Sequence, residues 1–274
     1  MNIRNFLCVA AIATMLASCA KENDIDQLTQ APNLPNVESM VLPLDILNEL
    51  DTVGIAEEGE VEFRASYKNW TYAAVNLFVW NSIVLAEMAI PIATLAEAFN
   101  HDPYEEGNAY VWAYDIQDEG DHYFLKLYAT LGDSDNEIDW KMVVDLEGKY
   151  SDFTFYTGTT TMGERNASWT IYGAPQNPFP FLQVDYEVVS NEEATIRYTN
   201  VIPGHKDQGN YIEARSYASG EMSRHYDINK GSAEDFLQIR WNEPNHYGQV
   251  SEQKHFGDND WHCWDELGRD TSCN

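Results

Sequence analysis

Positive charge is the scarcest feature of this sequence. Lys and Arg together number 16 against 45 Asp and Glu, which gives a formal net charge of −29 over 274 residues. A surface this acidic repels phosphate groups, so we expect no nucleic-acid partner and no attraction to anionic membrane surfaces. Hydrophobic residues nevertheless make up 44% of the chain and aromatic residues 13%, which is enough to fill a core and excludes wholesale disorder.

The motifs of common enzyme classes are also missing. The chain has no Gly-x-Ser-x-Gly elbow, no His-Glu-x-x-His pair, no P-loop and no Gly-x-Gly-x-x-Gly turn. The sequence therefore predicts no cofactor and favours a protein without catalytic activity. A glycan hydrolase remains an alternative, because such an enzyme needs only a suitable pair of carboxyl groups and carboxylates are abundant here.

The first 18 residues have the pattern of a secretion signal. Residues 6–17 form an uncharged apolar run that is too short to span a bilayer but has the length of a signal-peptide core. The run ends in Leu16-Ala17-Ser18-Cys19, which resembles the lipobox of bacterial lipoproteins. In that family the chain is cut before the cysteine, which is then acylated. The resemblance implies that a lipid on Cys19 anchors the protein to a membrane.

The residues after Cys19 extend this resemblance. Lys21-Glu22-Asn23-Asp24 is similar to the Lys-plus-acidic export tag of surface lipoproteins of the Bacteroidota. The similarity implies a protein anchored to the outer membrane, at the cell surface or on the periplasmic side. Prolines at 32, 35 and 43 with polar residues between them predict a tether over 19–42, which leaves 43–274 as a single domain.

Residues 70–99 are the most apolar part of the mature chain. The segment is rich in Ala, Leu and Met and contains no Gly, which predicts a helix. We expect Asn69 or Thr71 to cap it, and Pro91 to end or kink it before a second short helix over 92–99. A membrane span is the alternative, but Glu87 and two asparagines count against it. We expect a helix that is buried on nearly all sides inside its own domain.

After Tyr104, apolar and polar residues alternate in the manner of antiparallel strands with one buried face. The alternation is clear in residues 139–146, 168–172, 182–188, 194–199 and 237–241. We predict a mainly β fold, in which an antiparallel meander of about ten strands forms a barrel or half-barrel around the buried helix. This architecture resembles the lipocalin-like and LolA-like lipoprotein folds, and the resemblance implies an apolar ligand.

Two cysteines, Cys263 and Cys273, remain near the C-terminus of the mature chain. Outside the cytoplasm such a pair is expected to form a disulfide. In the chain-entropy model, closing a loop of this size stabilises the fold by about 3 kcal/mol. A metal site that adds His255 and His262 is the alternative, although zinc sites prefer a tighter cysteine spacing.

Oxygen ligands alternate along Asp133, Asp135, Glu137 and Asp139, a spacing that calcium loops use. The glycine and the closing glutamate of an EF-hand loop are missing. The pattern therefore favours an acidic hairpin turn, with a calcium site as the alternative.

Four tryptophans, Trp112, Trp140, Trp169 and Trp241, are candidates for contact with a ligand in or at the mouth of the barrel, and core packing is the alternative for each. The sequence thus predicts a non-enzymatic binding lipoprotein for an apolar or glycan ligand. The alternative outside the enzymes is a structural component of an outer-membrane assembly that binds another outer-membrane protein.

Overall fold

The computed structural model describes residues 28–42, 67–118, 120–134, 136–163 and 165–273. This part contains a 3-10 helix at Val37–Met40, a long helix α1 at Lys68–Ala98 and a short helix α2 at Gln253–Phe256. It also contains fourteen strands: β1 Tyr104–Glu106, β2 Ala109–Asp118, β3 Asp121–Leu131, β4 Glu137–Leu146, β5 Tyr150–Thr161, β6 Asn166–Gly173, β7 Phe179–Ser190, β8 Glu193–Asn200, β9 Tyr211–Tyr217, β10 Arg224–Asn229, β11 Phe236–Trp241, β12 Gly248–Ser251, β13 His262–Trp264 and β14 Asp270–Thr271.

The strands form one sheet in which each strand pairs with the next along the chain, in the order β1 to β14. All the pairs are antiparallel, so the predicted mainly β meander is confirmed. The sheet is open, however, and within the described residues no pairing joins β1 to β14. The expected count of about ten strands was also wrong. Short strands such as β13 and β14 have three and two residues, which is too few for an alternating pattern to be recognised.

The inner face of the sheet carries the aromatic core. Trp140 of β4 and Trp169 of β6 both lie opposite Gly158 of the intervening strand β5. The ring of Trp169 occupies the space beside that glycine so closely that a Cβ there would lie 2.1 Å from a ring carbon. Gly158 is therefore required by packing rather than by a turn.

Helix α1 lies on this inner face with one side only. Its buried positions recur at intervals of three and four residues, which places them on one stripe of the helix. The residues of this stripe are Ala74, Leu77, Asn81, Val84, Met88, Pro91, Leu95 and Ala98. The opposite side is exposed, so the expectation of burial on nearly all sides was wrong. The apolar composition of the segment does not distinguish the side that packs from the side that does not.

Pro91 does not divide the helix, contrary to expectation. The proline is buried, and the hydroxyl of Thr94 donates a hydrogen bond to its carbonyl at 2.9 Å. The hydroxyl of Tyr114 in β2 donates to the carbonyl of Thr94. These contacts hold the turn that contains the proline against the sheet, so tertiary packing outweighs the local cost of the missing N–H group.

The start of α1 is capped from a distant part of the chain. Neither Asn69 nor Thr71 is the cap. The carboxylate of Asp270 in β14 accepts hydrogen bonds from the backbone N–H groups of Lys68 and Asn69, at 3.3 and 2.9 Å. The side chain of Asn69 donates to the carbonyl of Cys263 at 2.9 Å. The N-terminal end of the helix therefore rests on the last strands, while its C-terminal half rests on β2 near the other end of the sheet.

Residues 28–42 pack on the body instead of extending from it. Met40 and Leu42 are fully buried. The indole of Trp169 donates to the hydroxyl of Ser39 at 3.1 Å, and the hydroxyl of Tyr198 donates to the carbonyl of Met40 at 2.9 Å. The predicted tether over 19–42 was therefore too long, because its apolar side chains at 40 and 42 help to fill the core. Cys19 and the predicted signal segment over 1–18 lie outside the described residues.

Candidate functional site

A groove of about 700 Å³ lies on the outer face of the sheet, across β4 to β9, and is here called the polar groove. One row of outward-facing side chains crosses it, each directly opposite the next in the strand register. Since neighbouring strands lie about 4.8 Å apart, the row is about 24 Å long. Its members in strand order are Asp139, Thr159, Ser168, Asp185, Arg197 and Glu213.

Two neighbouring hydroxyl groups, Thr159 and Ser168, lie at the centre of this row, and each bonds to the carboxylate on its other side. The hydroxyl of Thr159 donates to Asp139 at 3.1 Å, and that of Ser168 donates to Asp185 at 2.8 Å. The amide of Gln183 donates to both Ser168 and Asp185 at 3.0 Å. The side chains are thus held in place by one another, while the carboxylates keep lone pairs that these bonds do not use.

The β9 end of the row is built on a buried carboxylate. Glu213 is only 4% exposed, and each of its two oxygens accepts a hydrogen bond from a different arginine, Arg197 or Arg215. The guanidinium of Arg197 also lies over the ring of Tyr211, 4.4 Å from its centroid. Removing one partner of a buried ion pair is strongly destabilising, because it leaves the other charge without compensation. The pairing with Glu213 therefore fixes Arg197 at the edge of the groove, where part of its guanidinium group remains exposed.

The β4 end of the groove is acidic. Asp133, Glu137 and Asp139, three of the four candidate calcium ligands, line it, and Asp135 lies outside the described residues. Among the described residues no group of three or more His, Cys, Asp or Glu side chains is arranged to hold a metal ion. Asp133 lies in the connection between β3 and β4, Glu137 and Asp139 lie in β4, and the described residues add nothing in favour of a calcium site.

A second charged pair continues the outer face beyond the groove. Asp227 of β10 and Arg240 of β11 are both mostly buried and bond to each other. Burial lowers the pKa of the neighbouring His225 to about 4, and the positive charge of Arg240 acts in the same direction. His225 is therefore neutral at physiological pH, and the charged groups that act on it are Arg240, Asp227 and Arg215.

The four candidate tryptophans are all in the core. Trp112, Trp140, Trp169 and Trp241 are 0 to 5% exposed. The indole of Trp140 donates to the hydroxyl of Thr160 at 2.8 Å, and that of Trp169 is bonded to Ser39. All four belong to one core cluster with residues of α1 and residues 28–42, so they do not line the polar groove and give no support to an internal apolar ligand.

The C-terminal cysteines form the predicted disulfide. Cys263 and Cys273 are bonded, with their Cα atoms 5.3 Å apart. The two histidines of the metal alternative have other partners. The ring of His255 stacks on Tyr72 at 3.6 Å between centroids, and His262 is 3.0 Å from the carboxylate of Asp258. The metal alternative is therefore wrong for this pair of cysteines.

One more cluster of ionisable groups lies where α1 meets the sheet. Glu252 is almost fully buried and contacts both the hydroxyl of Tyr72 and the ammonium group of Lys230. Burial raises the pKa of Glu252 and lowers that of Lys230. Since Tyr72 belongs to α1 and Glu252 follows β12, the cluster joins the helix to the sheet. We assign it a structural role.

Comparison of the chain with protein-family models, with curated proteins and with solved structures finds no match. The polar groove therefore has to be interpreted from its own geometry.

Sequence reasoning did not find the groove. It recognised the alternating polar residues of β7 and β8 but assigned them only to a solvated face. The signal that was available is Glu213, a lone carboxylate between Ile212 and Ala214 with Arg215 beside it. Its partner Arg197 is 16 residues away in the sequence. That the two residues pair follows only from the register of β8 and β9.

Proposed function

We propose that the protein is a lipid-anchored binding protein outside the cytoplasm, held to the outer membrane through acylated Cys19, and that the polar groove binds a glycan. The observation that carries the choice of ligand is the row of polar side chains from Asp139 to Glu213. Its carboxylates accept hydrogen bonds, its hydroxyls donate and accept, and Arg197 donates. A surface of this kind can satisfy a series of neighbouring sugar hydroxyls.

The charge of the groove narrows the class of glycan. Asp133, Glu137, Asp139, Asp185 and Glu187 line it, whereas Arg197 is already paired with Glu213. A uronic acid or a sulfated sugar would be repelled by these carboxylates. We therefore propose a neutral saccharide as the ligand.

The spacing of two carboxylates in the groove suggests an alternative function, the hydrolysis of a glycan. Glu137 and Asp139 point to the same side of β4, and two residues along a strand are separated by about 7 Å, which is within the range that glycosidases use. We favour binding without hydrolysis, because the carboxylates line an open sheet surface that does not enclose a substrate or exclude water.

The acidic excess also favours a second candidate, in which the groove binds a basic segment of another outer-membrane protein. Such a complex would depend strongly on salt, because its attraction would be electrostatic. Binding of a neutral glycan would depend on salt only weakly, so the two candidates are separable in one titration series.

Titration of the soluble Cys19→Ser chain with a panel of oligosaccharides tests the proposal. We expect at least one neutral cello-, malto- or chito-oligosaccharide to bind, and an oligogalacturonate not to bind. Asp185→Ala should weaken the binding about tenfold, since a hydrogen bond to a charged group is worth about 1.5 kcal/mol or more. The control Asp118→Ala removes a carboxylate from β2, outside the groove, and should leave the affinity unchanged.

Three results would contradict the proposal. The first is the absence of binding across the whole panel. The second is an equal loss of affinity in both variants. The third is the appearance of shortened oligosaccharides after incubation, which would identify the groove as a hydrolase site.

A further inference from the structure

The side of α1 that faces away from the sheet is an exposed apolar surface, here called the outer face of α1. Its large side chains are 46 to 64% exposed and lie on one stripe of the helix. They are Val75, Phe78, Val79, Ile83 and Ile90. Single exposed apolar residues are normal in a soluble protein, but a continuous stripe of them indicates an interaction surface.

The outer face of α1 contrasts sharply with the charge of the rest of the protein. Between Asn69 and Ala96 the only charged residue is Glu87, although the chain as a whole has a net charge of −29. By length and composition α1 could also cross a membrane. Its opposite side, however, is packed on the sheet along the whole helix, so any contact with lipid is made by one side only.

The position of residues 28–37 indicates what lies near the outer face of α1. Leu28 is packed against the core, and residues 33–37 share a hollow with Ala96 and Phe99 at the C-terminal end of α1. Leu28 is only nine positions after Cys19, which corresponds to a distance of at most about 30 Å when the chain is fully extended. An acylated Cys19 would therefore hold the folded body that carries α1 within about 30 Å of the bilayer surface.

We propose that the outer face of α1 lies in the boundary between headgroups and acyl chains of the bilayer that holds Cys19. This inference rests on the acylation of Cys19 that is part of the proposed function. The stripe has no basic residues to attract anionic lipids, so its binding depends on apolar contact and on the high local concentration that the short tether gives. Zwitterionic lipid is the matching surface, since anionic lipid repels the acidic body.

Charge argues against the two other occupants of this surface. Residues 43–66 of the same chain contain seven carboxylates and a single arginine among their apolar residues, so covering the stripe with them would also bring carboxylates against it. A second copy would bring another body with a net charge of −29 against the first. Neither objection applies to a zwitterionic bilayer.

A fluorescent probe on the outer face of α1 tests this inference in the full lipidated chain. Ile83→Cys introduces the labelling site, because Cys19 is acylated through its thiol and Cys263 and Cys273 are bonded to each other. A polarity-sensitive dye is attached, and the protein is reconstituted into phosphatidylcholine vesicles with or without lipids that carry a quencher in the acyl chain. The matched control is the same dye on Asp118→Cys, at an exposed site on β2.

We expect the dye at position 83 to shift to shorter wavelength on reconstitution and to lose most of its emission to the lipid quencher, while the dye at position 118 does neither. Including phosphatidylglycerol should reduce both effects at position 83. A dye at position 83 that stays in water although mass spectrometry shows the acyl chains on Cys19 overturns the inference and leaves the proposed anchor intact. Absence of the acyl chains overturns the anchor itself.

One further result would also overturn the inference. The dye at position 83 could already be shielded in lipid-free protein. Sedimentation would then show whether a second copy or the chain's own residues cover the outer face of α1, and either finding excludes the bilayer as its partner.

Discussion

At the scale of single residues, Asn81 is the feature of the core that most needs a physical account. It is fully buried on the packed side of α1, and within the described residues neither its amide nitrogen nor its carbonyl oxygen has a hydrogen-bond partner. Burying such an amide without a partner costs about 1 to 3 kcal/mol. The helix tolerates this cost because the residues one turn before and one turn after Asn81 on the same side, Leu77 and Val84, are buried apolar residues.

Replacing Asn81 by an apolar residue of similar size should stabilise the protein. We expect Asn81→Leu to raise the free energy of unfolding by about 1 kcal/mol, because the unpaired amide is removed and the space stays filled. Asn81→Ala is the control, and should gain less because it leaves a small cavity. Urea unfolding at neutral pH measures both. A loss of stability in Asn81→Leu that is larger than the loss in Asn81→Ala would indicate overpacking, and an equal loss in both would show that the amide has a partner such as an internal water.

At the scale of the elements, α1 shows what a local pattern reveals and what it does not. Its overall extent was predicted to within two residues at each end, because a long run rich in Ala, Leu and Met without Gly strongly favours a helix. Its continuity through Pro91, its cap from Asp270 and its exposed side were not predicted. Each of these depends on residues far away in sequence, so no pattern within the helix could have indicated them.

The C-terminal disulfide should support α1 as well as the tail that it closes. Reduction of Cys263–Cys273 removes about 3 kcal/mol of chain-entropy stabilisation and frees the loop that carries Asp270. We expect a lower thermal midpoint and a loss of helical circular dichroism, with the strand signal retained. Asp270→Ala with the disulfide intact separates the cap from the crosslink, and should cost about 1 kcal/mol.

Two outcomes would contradict this account of the tail. An unchanged thermal midpoint after complete reduction would show that the loop is held by other contacts. A concerted loss of all strand signal would show that the sheet depends on the tail.

At the scale of the whole molecule, the alternation of apolar and polar residues predicted the mainly β fold, but it did not predict whether the sheet closes into a barrel. Whether a long meander closes depends on the accumulated twist of the strands and on what packs inside it, and α1 rests on strands near both ends of this sheet. The polar groove depends in the same way on register. Asp139 and Glu213 are 74 residues apart and share one row only because five successive strand pairs align them.

The most direct test of the central claim asks which face of the sheet binds the ligand. The two variants to compare are Ser168→Ala, on the outer face in β6, and Trp140→Phe, on the inner face in β4. For the neutral oligosaccharide that binds best, we predict a loss of affinity in Ser168→Ala with stability little changed. In Trp140→Phe we predict a loss of stability with affinity unchanged, because the ring lies in the core. Weaker binding by Trp140→Phe together with full affinity of Ser168→Ala would place the ligand inside the sheet and contradict the account.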